Sequence, residues 1–312
     1  MTGSAIDVRA RAVQAPEEIR ILAVRPIRRA ILAWAAHARR DLPWRTTRDP
    51  WAVLVSELML QQTQVSRVVP RYEAFLERFP TVRSCAEASR GEVIASWAGL
   101  GYNRRAVMLH RCAVTVVVQH DGQIPSDLGA LLALPGIGPY TARAVLVFAF
   151  EHDAAVVDTN VGRVLARLAG VGLTAQLAQS LADALVPKGR SWEWNQAMLD
   201  LGATMCRARV PACEVCPVQR WCAWGSAGAS GDDPATGSAG VSGPQSRFEG
   251  SDRQGRGRLI AALRERGSVS RHVLAEVAGW PDNAARAQRI ADALVTDGLA
   301  CWDGQCLRLP SD

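Results

Sequence analysis

The stretch that decides the fold is LLALPGIGPYTARAV, which runs from Leu131 to Val145. Its leucines predict a helix, Gly136 and Gly138 predict a tight turn, and the residues from Pro139 onward predict the start of a second helix. Because glycine has no side chain, the backbone amides of such a turn can approach a phosphate closely, and the helix N-terminus favours the same negative charge. The alternative is an ordinary helical hairpin within a bundle.

The sequence around this hairpin predicts an all-α fold. A helical period runs from about Pro26 to Arg39, and further helices are predicted at 51–63, 65–78, 84–88, 91–98 and 103–120. Strand-like alternation is scarce before residue 225. The hairpin matches the helix-hairpin-helix pattern, which binds the DNA backbone without reading its sequence.

Composition permits a nucleic-acid partner. The 312 residues carry a formal net charge of +6 and a pI of about 9.1, a moderate basic bias that suits a polyanion. Lys188 is the only lysine, so almost no amine is available for Schiff-base chemistry. The first 25 residues show no signal peptide and no apolar run is long enough to span a bilayer, so we expect a cytoplasmic protein.

The segment VSELMLQQTQV, from Val55 to Val65, contains the first candidate catalytic residue, Glu57. Its apolar neighbours predict a buried helix. Burial disfavours the charged form of a carboxylate, so Glu57 is a candidate general acid near neutral pH. The structural alternative is a carboxylate at a helix cap or at the rim of the core.

The second candidate is Asp158, in AAVVDTNVGR from Ala154 to Arg163. It follows a short apolar run and precedes a predicted helix, so it could simply be an N-cap. Backbone amides at a helix N-terminus solvate a carboxylate, and we therefore expect Asp158 to stay ionised. Two carboxylates in opposite protonation states are the pattern expected for cleavage of a glycosidic bond.

Four of the eight cysteines form a cluster with the spacing Cys206-x6-Cys213-x2-Cys216-x5-Cys222. In a chain without an evident secretory leader, such a cluster predicts a metal site rather than a disulfide framework. Tetrahedral zinc and a [4Fe–4S] cluster are both compatible with four thiolates, and the spacing does not decide between them.

Several segments resemble those of the endonuclease III superfamily, and most closely those of MutY-type adenine DNA glycosylases. They occur in the same order, namely SELMLQQTQV, GLGY, LPGIGPYTA, VDTNVGRVLAR, NQAMLDLGA and the cysteine loop. The resemblance covers about Leu42 to Trp224. It implies a two-lobed all-α catalytic domain that holds double-stranded DNA between its lobes, and a [4Fe–4S] cluster on the four cysteines. The implied reaction is removal of a flipped adenine mispaired with 8-oxoguanine or guanine, in base excision repair.

The resemblance also implies a role for each site residue. Glu57 would protonate the adenine ring, and Asp158 would stabilise the developing sugar cation and support attack by water. Tyr140 and Asn160 resemble the residues that support these two. The residues implied to contact DNA or the base are Trp44, Arg45, Gln61, Gln62, Tyr102, Gly136, Gly138 and Gln196. Bifunctional relatives carry a nucleophilic lysine where this chain has Tyr140, so we expect a monofunctional enzyme with little lyase activity.

The chain departs from this family after the cysteine loop. We expect a flexible extension over 1–25, a catalytic domain over 26–224, with the helix-hairpin-helix at about 131–150 and the metal loop at 206–222, and a disordered linker over 225–257. Residues 258–312 then predict three helices and a β-hairpin that turns at Asp303-Gly304, which suggests a small winged-helix-like module. Family members commonly carry a Nudix-like domain there that checks for 8-oxoguanine, so recognition of the opposite base is not explained by this tail.

Three other functions compete with adenine removal. A thymine glycosylase acting at G·T mismatches shares the cysteine cluster, but the QQTQ that follows Glu57 favours adenine. An endonuclease III-like lyase for oxidised pyrimidines is disfavoured because the lysine is absent and Glu57 is present. The third is a DNA-binding or redox-sensing iron–sulfur protein without catalysis, which the pair of Glu57 and Asp158 disfavours. We expect the protein to act as a monomer.

Overall fold

The computed structural model describes residues 24–238 and 247–311. These residues divide into two compact units, one formed by the chain up to Asp41 with Leu146–Gly243, and the other by Leu42–Val145 with Pro244–Asp312. We call them unit 1 and unit 2. The extension predicted over 1–25 lies almost entirely outside the described residues. Within the described part, no helix is both long and apolar enough to cross a membrane.

Unit 2 begins with a 3₁₀ turn (Pro43–Arg45) and continues as a series of helices. They are α2 (Pro50–Leu60), α3 (Val65–Arg78), α4 (Val82–Glu87), α5 (Arg90–Ser96), α6 (Arg104–His120), α7 (Leu128–Ala133) and the start of α8 (Pro139–Phe148). The helices predicted between 51 and 120 are confirmed, with ends that differ by less than one turn.

Side chains at the helix starts explain where these helices begin. Asp49 caps α2 by accepting hydrogen bonds from the backbone N–H groups of Trp51 and Ala52, and Pro50 occupies the first turn, where no donor is needed. Thr81 and Ser89 begin α4 and α5 with reciprocal capping boxes. The polar capping residues between the apolar runs therefore determine where these helices begin.

The hairpin between α7 and α8 is present as predicted. Its turn requires glycine at position 136, where φ is +77° and an added Cβ would lie 2.6 Å from the Cβ of Met108 on α6. An added Cβ at Gly138, in contrast, meets no atom within 4 Å. Gly136 is therefore needed for the packing of the hairpin against α6. At Gly138, in contrast, there is room for a side chain.

Unit 1 contains α1 (Val24–Ala38), the end of α8 and four further helices. These are α9 (Thr159–Ala169), α10 (Ala175–Leu185), α11 (Ser191–Asp200) and α12 (Ala223–Ser226). The α11 helix continues as a π-helix over Leu201–Met205. Side chains of α1, α9, α10 and α11 share one apolar core, with Ile27, Ile31, Leu165 and Trp194 at 2% exposure or less.

The C-terminal module, residues 247–311, belongs to unit 2. It contains α13 (Asp252–Arg266), β1 (Ser268–Ser270), α14 (Leu274–Ala278), α15 (Ala284–Thr296), β2 (Cys301–Asp303) and β3 (Cys306–Arg308). The three helices and the hairpin are confirmed, but the hairpin turns at Gly304-Gln305 and not at the predicted Asp303-Gly304, and the sequence prediction missed β1. This strand pairs with β3 in an antiparallel sheet of order β1-β3-β2, with Val269 opposite Leu307. Three residues are too few to show an alternating pattern.

The segment predicted as a disordered linker, 225–257, differs from that prediction where the structure describes it. Ala235 and Ser238 are buried, and Asp233 is paired with the buried Arg167 of α9. Helix α13 already begins at Asp252, with Ser251 as its cap. Small residues are poor in apolar surface, which suggested disorder, but they also allow a chain to pack closely against a helix. Residues 239–246 of this segment lie outside the described part.

Candidate active site

Glu57 lies on α2 in an entirely buried stretch. Every residue from Trp51 to Met59 is buried, and Glu57, at 5% exposure, is the only one of them that can ionise. A carboxylate in such surroundings is costly unless it has a role or partners. This helix places Glu57 in unit 2, and the burial that its apolar neighbours predict is confirmed.

Arg105 of α6 fixes the end of the helix that carries Glu57. Its Nη1 donates hydrogen bonds to the carbonyl oxygens of Leu58, Met59 and Gln61 at 2.7, 2.8 and 2.6 Å. Its Nη2 donates to Thr63 Oγ1 and to the carbonyls of Leu100 and Gly101. Burial of the guanidinium lowers the pKa of Arg105 to about 10. One buried side chain thus joins the end of α2 to the turn that contains Tyr102.

The residues after Glu57 connect α2 to the hairpin. Gln61 Nε2 donates to Thr141 Oγ1 at 3.3 Å, so the partly buried Gln61 lies beside the start of α8. Thr141 directly follows Tyr140 in the sequence. Gln62 is exposed and has a φ of 55°, a left-handed backbone conformation that bulky residues seldom adopt. Strained residues of this kind often mark functional turns.

Trp44 and Arg45, which the resemblance places at the adenine pocket or its rim, lie in the 3₁₀ turn at the start of unit 2. Both are buried, at 7% and 8% exposure. The Trp44 ring packs edge-on against Tyr72, with 5.5 Å between ring centroids. The turn is therefore anchored in the core of unit 2, and neither side chain extends freely into solvent.

Tyr102 projects from the turn between α5 and α6. Its side chain is 42% exposed, and its φ of 44° follows two glycines, Gly99 and Gly101, whose φ values are also positive. Arg67 donates to the Gly99 carbonyl, and Thr63 Oγ1 donates to that of Leu100. The turn is held by side chains from its own unit while the tyrosine remains accessible.

Asp158 begins α9 in unit 1. Its Oδ1 accepts a hydrogen bond from the Val161 N–H at 2.7 Å, and its Oδ2 accepts one from Asn160 Nδ2 at 2.8 Å. Asp158 is thus both a helix cap and the acceptor of a side-chain amide. The predicted pairing of Asp158 with Asn160 as its neighbour fits this geometry.

The expectation that Asp158 stays ionised rests on its amide donors, and the structure adds the opposing effect of burial. Burial of the carboxyl raises its pKa above the ordinary value, because the loss of hydration outweighs the hydrogen bonds from Val161 and Asn160 and the charge of Arg163. A sequence pattern shows the cap but not how deeply it is desolvated.

Arg163, one turn along α9, connects Asn160 to the cysteine loop. Its Nη2 donates to Asn160 Oδ1 at 2.8 Å and to the Gly202 carbonyl at 2.7 Å, and its Nε donates to the Cys206 carbonyl at 2.7 Å. Gly202 lies in the π-helix, where an added Cβ would approach the Cβ of Asn160 to 2.6 Å. The wider turn of a π-helix and a glycine together let α11 pass close to Asn160. Gln196, which is buried, lies six residues before Gly202, on α11.

The four clustered cysteines surround one cavity in unit 1. Most of its remaining lining is apolar, including Val164, Leu168, Leu201, Met205 and Val218. Burial raises the pKa of Cys222 to about 11 and also raises the pKa of Cys213 and Cys216. All eight cysteines of the described chain are free thiols.

Two side chains on α9 and α12 face this cavity with nitrogen donors. Arg167, at 1% exposure, donates from Nη1 to Cys206 Sγ at 3.3 Å and pairs through Nη2 with Asp233 at 2.6 Å. The Arg167 guanidinium in turn lowers the pKa of Asp233. Trp224 also lines the cavity, beneath Arg167, and its buried Nε1 has no hydrogen-bond partner among the described residues.

Sequence reasoning missed Arg105, Thr141, Arg163, Arg167 and Trp224. Arg163 and Arg167 are four residues apart on a helix whose other buried positions are apolar, and two arginines on the inner face of an amphipathic helix are a signal that could have been read. Arg105 carried no such signal, because it stands between Arg104 and an ordinary apolar run. Its role depends on the fold of a distant turn.

The predicted site residues fall into two groups. Unit 2 contains Glu57, Tyr140, Trp44, Arg45, Gln61, Gln62, Tyr102 and the two hairpin glycines. Unit 1 contains Asp158, Asn160, Gln196 and the four cysteines. Within unit 1, hydrogen bonds connect Asp158 to Asn160 and, through Arg163, Asn160 to the Cys206 carbonyl.

Comparison with known proteins agrees with these features. A family model described as HhH-GPD superfamily base excision DNA repair protein matches residues 55–188. The adenine DNA glycosylase of Mycolicibacterium smegmatis is 42% identical over 274 residues, which cover 86% of this chain and 90% of that relative.

Solved structures give the same fold. A thermostable thymine-DNA glycosylase superposes with a TM-score of 0.61 at 31% identity, covering 65% of this chain and 97% of that one. Endonuclease III in a trapped covalent intermediate with DNA superposes with a TM-score of 0.60 at 22% identity, covering 68% and 99%, and so shows the fold alone. From the family match and the 42% identity over most of its length, this chain belongs to the adenine DNA glycosylases of the HhH-GPD superfamily of base excision DNA repair proteins.

Proposed function

We propose that this protein removes adenine from double-stranded DNA where adenine is mispaired with 8-oxoguanine or guanine, by hydrolysis of the bond between adenine N9 and C1′ of the sugar. The observation that carries the proposal is the burial of Glu57 as the only ionisable residue in the stretch Trp51–Met59. A carboxyl group there favours its neutral form and can donate a proton to the adenine ring. A protonated adenine is a much better leaving group than a neutral one.

Asp158 supplies the second half of the chemistry in this proposal. As the bond to adenine breaks, positive charge develops on the sugar, and a nearby carboxylate stabilises it. Asn160 and the Val161 N–H fix the orientation of Asp158. Water then attacks C1′, with Asp158 able to accept its proton, and the products are free adenine and an abasic site.

The assignment as a monofunctional enzyme follows from the resemblance at Tyr140. A phenol cannot form the Schiff base through which a bifunctional glycosylase cleaves the backbone, whereas a lysine can. The chain has one lysine, Lys188, which lies in unit 1 outside both groups of site residues. Tyr140 is half-buried at the start of α8, next to Thr141, which accepts a hydrogen bond from Gln61.

Most of the residues proposed to contact DNA lie in unit 2. Gly136 and Gly138 expose the backbone amides of the hairpin to a phosphate. Tyr102 is exposed on a strained turn, which suits a residue that enters the base stack. Gln61 and Gln62 follow Glu57 directly, while Trp44, Arg45 and Gln196 are the buried residues proposed for the adenine pocket. The substrate would be met on the bacterial chromosome, in the cytoplasm.

The residues around the cysteine cavity fit a [4Fe–4S] cluster better than a single zinc ion. Among residues 24–238 and 247–311, no three His, Cys, Asp or Glu side chains converge as the ligands of one ion. Zinc requires four sulfurs within about 2.3 Å of one point, whereas a cluster binds each thiolate to a different iron, so its ligands surround a volume. The cavity lined by all four cysteines is such a volume.

Two nitrogen donors around this cavity also fit the cluster. Arg167 already donates to Cys206 Sγ, and the buried Trp224 Nε1 would find an acceptor in a cluster sulfur. Cys206, Cys213, Cys216 and Cys222 would hold the cluster, which would order the loop and present the exposed Arg207, Arg209 and Arg220 to phosphates. Iron and acid-labile sulfide in stoichiometric amounts, with broad visible absorption, would support the cluster, and zinc without iron would contradict it.

Removal of the free base tests the function as a whole. Duplexes with 8-oxoG·A, G·A and G·T pairs would be incubated with enzyme in excess, and the released base identified by chromatography. We expect adenine and no thymine. The thymine-DNA glycosylase that shares the fold makes thymine release at G·T the second candidate, and thymine without adenine would establish it.

A further inference from the structure

The C-terminal module packs against the helices on both sides of the turn that presents Tyr102. At the start of α5, the Gly91 N–H donates to the carbonyl of Pro310 at 2.9 Å. At the end of α5, Arg264 of α13 donates to the Ile94 carbonyl, at 2.7 Å from Nη2 and 3.2 Å from Nε. At the start of α6, Arg264 Nη2 also donates to Asn103 Oδ1 at 3.1 Å. These contacts lie within unit 2.

The module and α5 are in close contact at Gly91 and Pro310. A Cβ added at Gly91 would lie 2.2 Å from the Pro310 carbonyl oxygen, so only glycine permits this contact. Burial, with the positive charge of Arg71 nearby, lowers the pKa of Arg264 to about 10. Removing the Arg264 guanidinium from water costs free energy, which its hydrogen bonds must offset. The acceptors of these hydrogen bonds are Ile94 and Asn103, which flank the turn.

Asn103 shows that the contact affects the turn itself. An asparagine at a helix N-cap usually accepts a hydrogen bond from the backbone of its own helix, but Asn103 makes no such bond to α6. Its side-chain oxygen accepts from Arg264 instead. Asn103 directly follows Tyr102, whose φ is positive. The hydrogen bond from Arg264 therefore holds the residue next to Tyr102 in place.

Four arginines of the module are paired with carboxylates of the same module. Asp252 pairs with both Arg286 and Arg289, Asp297 pairs with Arg256, and Asp303 pairs with Arg308. Phosphate binding requires arginines whose charge is available. These arginines are largely neutralised by carboxylates of the same module, whereas Arg264 reaches out of it to the turn.

We propose that the C-terminal module is a clamp that positions Tyr102 for insertion into DNA, with Arg264 as the positioning residue and Asn103 as its contact. The module thereby contributes to recognition of the mispair through the catalytic unit and not by reading the opposite base itself. This inference rests on the proposed role of Tyr102 in the base stack.

A double-mutant cycle on DNA affinity tests the clamp. Arg264→Met keeps the length of the side chain but removes its donors, and Arg266→Met, an exposed arginine of the same helix, is the matched control. The affinity for an 8-oxoG·A duplex, measured with a base that resists cleavage, should fall about tenfold for Arg264→Met, which corresponds to ~1.4 kcal/mol, and remain unchanged for the control. In a Tyr102→Ala background, Arg264→Met should cause no further loss.

Two outcomes would overturn the proposal. If the losses from Arg264→Met and Tyr102→Ala multiply, Arg264 acts independently of the turn. If Arg264→Met leaves the affinity unchanged while the protein keeps its melting temperature, the contact has no role in binding. Failure of the enzyme to release adenine would contradict the proposed function, but the binding cycle would still report on the clamp.

A second pair of variants covers the case in which Arg264→Met unfolds the module. Asn103→Ala removes the acceptor and leaves Arg264 in place, whereas Asn103→Asp keeps an acceptor at the same position. We expect Asn103→Ala to weaken affinity about as much as Arg264→Met and Asn103→Asp to restore most of it. Equal affinities of the two Asn103 variants would contradict the proposal.

Discussion

At the scale of single residues, the proposed chemistry depends on the surroundings of two carboxyl groups, those of Glu57 and Asp158. Glu57 is surrounded on α2 by buried apolar neighbours, so its surroundings disfavour charge. Asp158 is partly buried, and its amide donors and Arg163 oppose the effect of burial on its pKa. In the proposed mechanism, Glu57 gives a proton while Asp158 stabilises a cation.

The raised pKa of Asp158 predicts a shifted acid limb in the pH dependence of base release. In the proposed mechanism Asp158 must be ionised to stabilise the sugar cation. Its ionised fraction falls as pH is lowered through its folded pKa, which lies above the ordinary 3.8. The single-turnover rate should therefore decline at a higher pH than an exposed aspartate would produce. A rate that stays constant down to the ordinary pKa of aspartate would contradict this assignment.

The raised pKa of Asp158 also predicts how the free energy of unfolding changes with pH. A raised pKa means that the folded state binds the proton more tightly than the unfolded state, so the contribution of Asp158 is fully present below pH 3.8 and is lost as pH rises through the folded value. Asp158→Asn cannot ionise. Its stability relative to the wild type should therefore increase with pH across this window, which melting curves at several pH values would measure.

At the scale of structural elements, the hairpin and the end of α2 are held by features that can be separated by substitution. Gly136 combines a positive φ with a close approach to Met108, whereas Gly138 has open space where a Cβ would be placed. Arg105 joins three carbonyls near the end of α2 to two carbonyls of the Tyr102 turn. Packing and DNA contact thus depend on different residues of neighbouring elements.

The two hairpin glycines should respond differently to alanine. Gly136→Ala forces a positive φ on a residue with a side chain and a clash with Met108, and should destabilise the protein by about 2 kcal/mol. Gly138→Ala should leave the melting temperature within the range of ordinary surface changes but weaken DNA binding, because a methyl group would hold the phosphate away from the amides. Equal melting temperatures for the two variants would contradict this account.

Arg105→Met should destabilise unit 2 more than the neighbouring Arg104→Met. Loss of the Arg105 guanidinium leaves several buried carbonyl oxygens without their donor, at roughly 1–3 kcal/mol for each group that water cannot reach. Arg104 is 69% exposed in its side chain and pairs with Asp297 at 3.7 Å, so its loss should cost little. Chemical denaturation of the two variants would measure the difference.

The sequence predicted those elements whose causes are local. Helices α2 to α6, the hairpin glycines and the cap at Asp158 follow from apolar periodicity and capping residues, and they are present. The contacts that depend on distant parts of the chain were not predicted. Arg105, Arg163 and Arg264 gain their roles from carbonyls 40 or more residues away or from a neighbouring element, and β1 forms only because β3 lies beside it.

At the scale of the whole molecule, the family fixes the reaction class and the two units divide the site residues. Unit 2 contributes the proposed proton donor and most of the DNA contacts, and unit 1 contributes Asp158 and the cysteine loop. In unit 1, Arg163 connects Asn160 to the Cys206 carbonyl, and Arg167 connects Cys206 to Asp233. The order of the cysteine loop should therefore affect both DNA binding and the position of Asp158.

The enzyme should give almost no covalent complex with DNA under reducing conditions. Without a lysine at position 140, no Schiff base forms during base release, so borohydride should trap little product compared with a bifunctional glycosylase. Lys188→Arg controls for an adventitious amine, because it is the only lysine that could react. Efficient trapping that survives this substitution would contradict the monofunctional mechanism.

The central claim, that Glu57 protonates adenine, is tested most directly by single-turnover release of adenine from an 8-oxoG·A duplex with wild type and Glu57→Gln side by side. Glutamine keeps the shape of the side chain but cannot donate a proton in this way. The account predicts a loss of about 10²–10⁴-fold in the rate with nearly unchanged duplex affinity. A Glu57→Gln variant that releases adenine at the wild-type rate would contradict it.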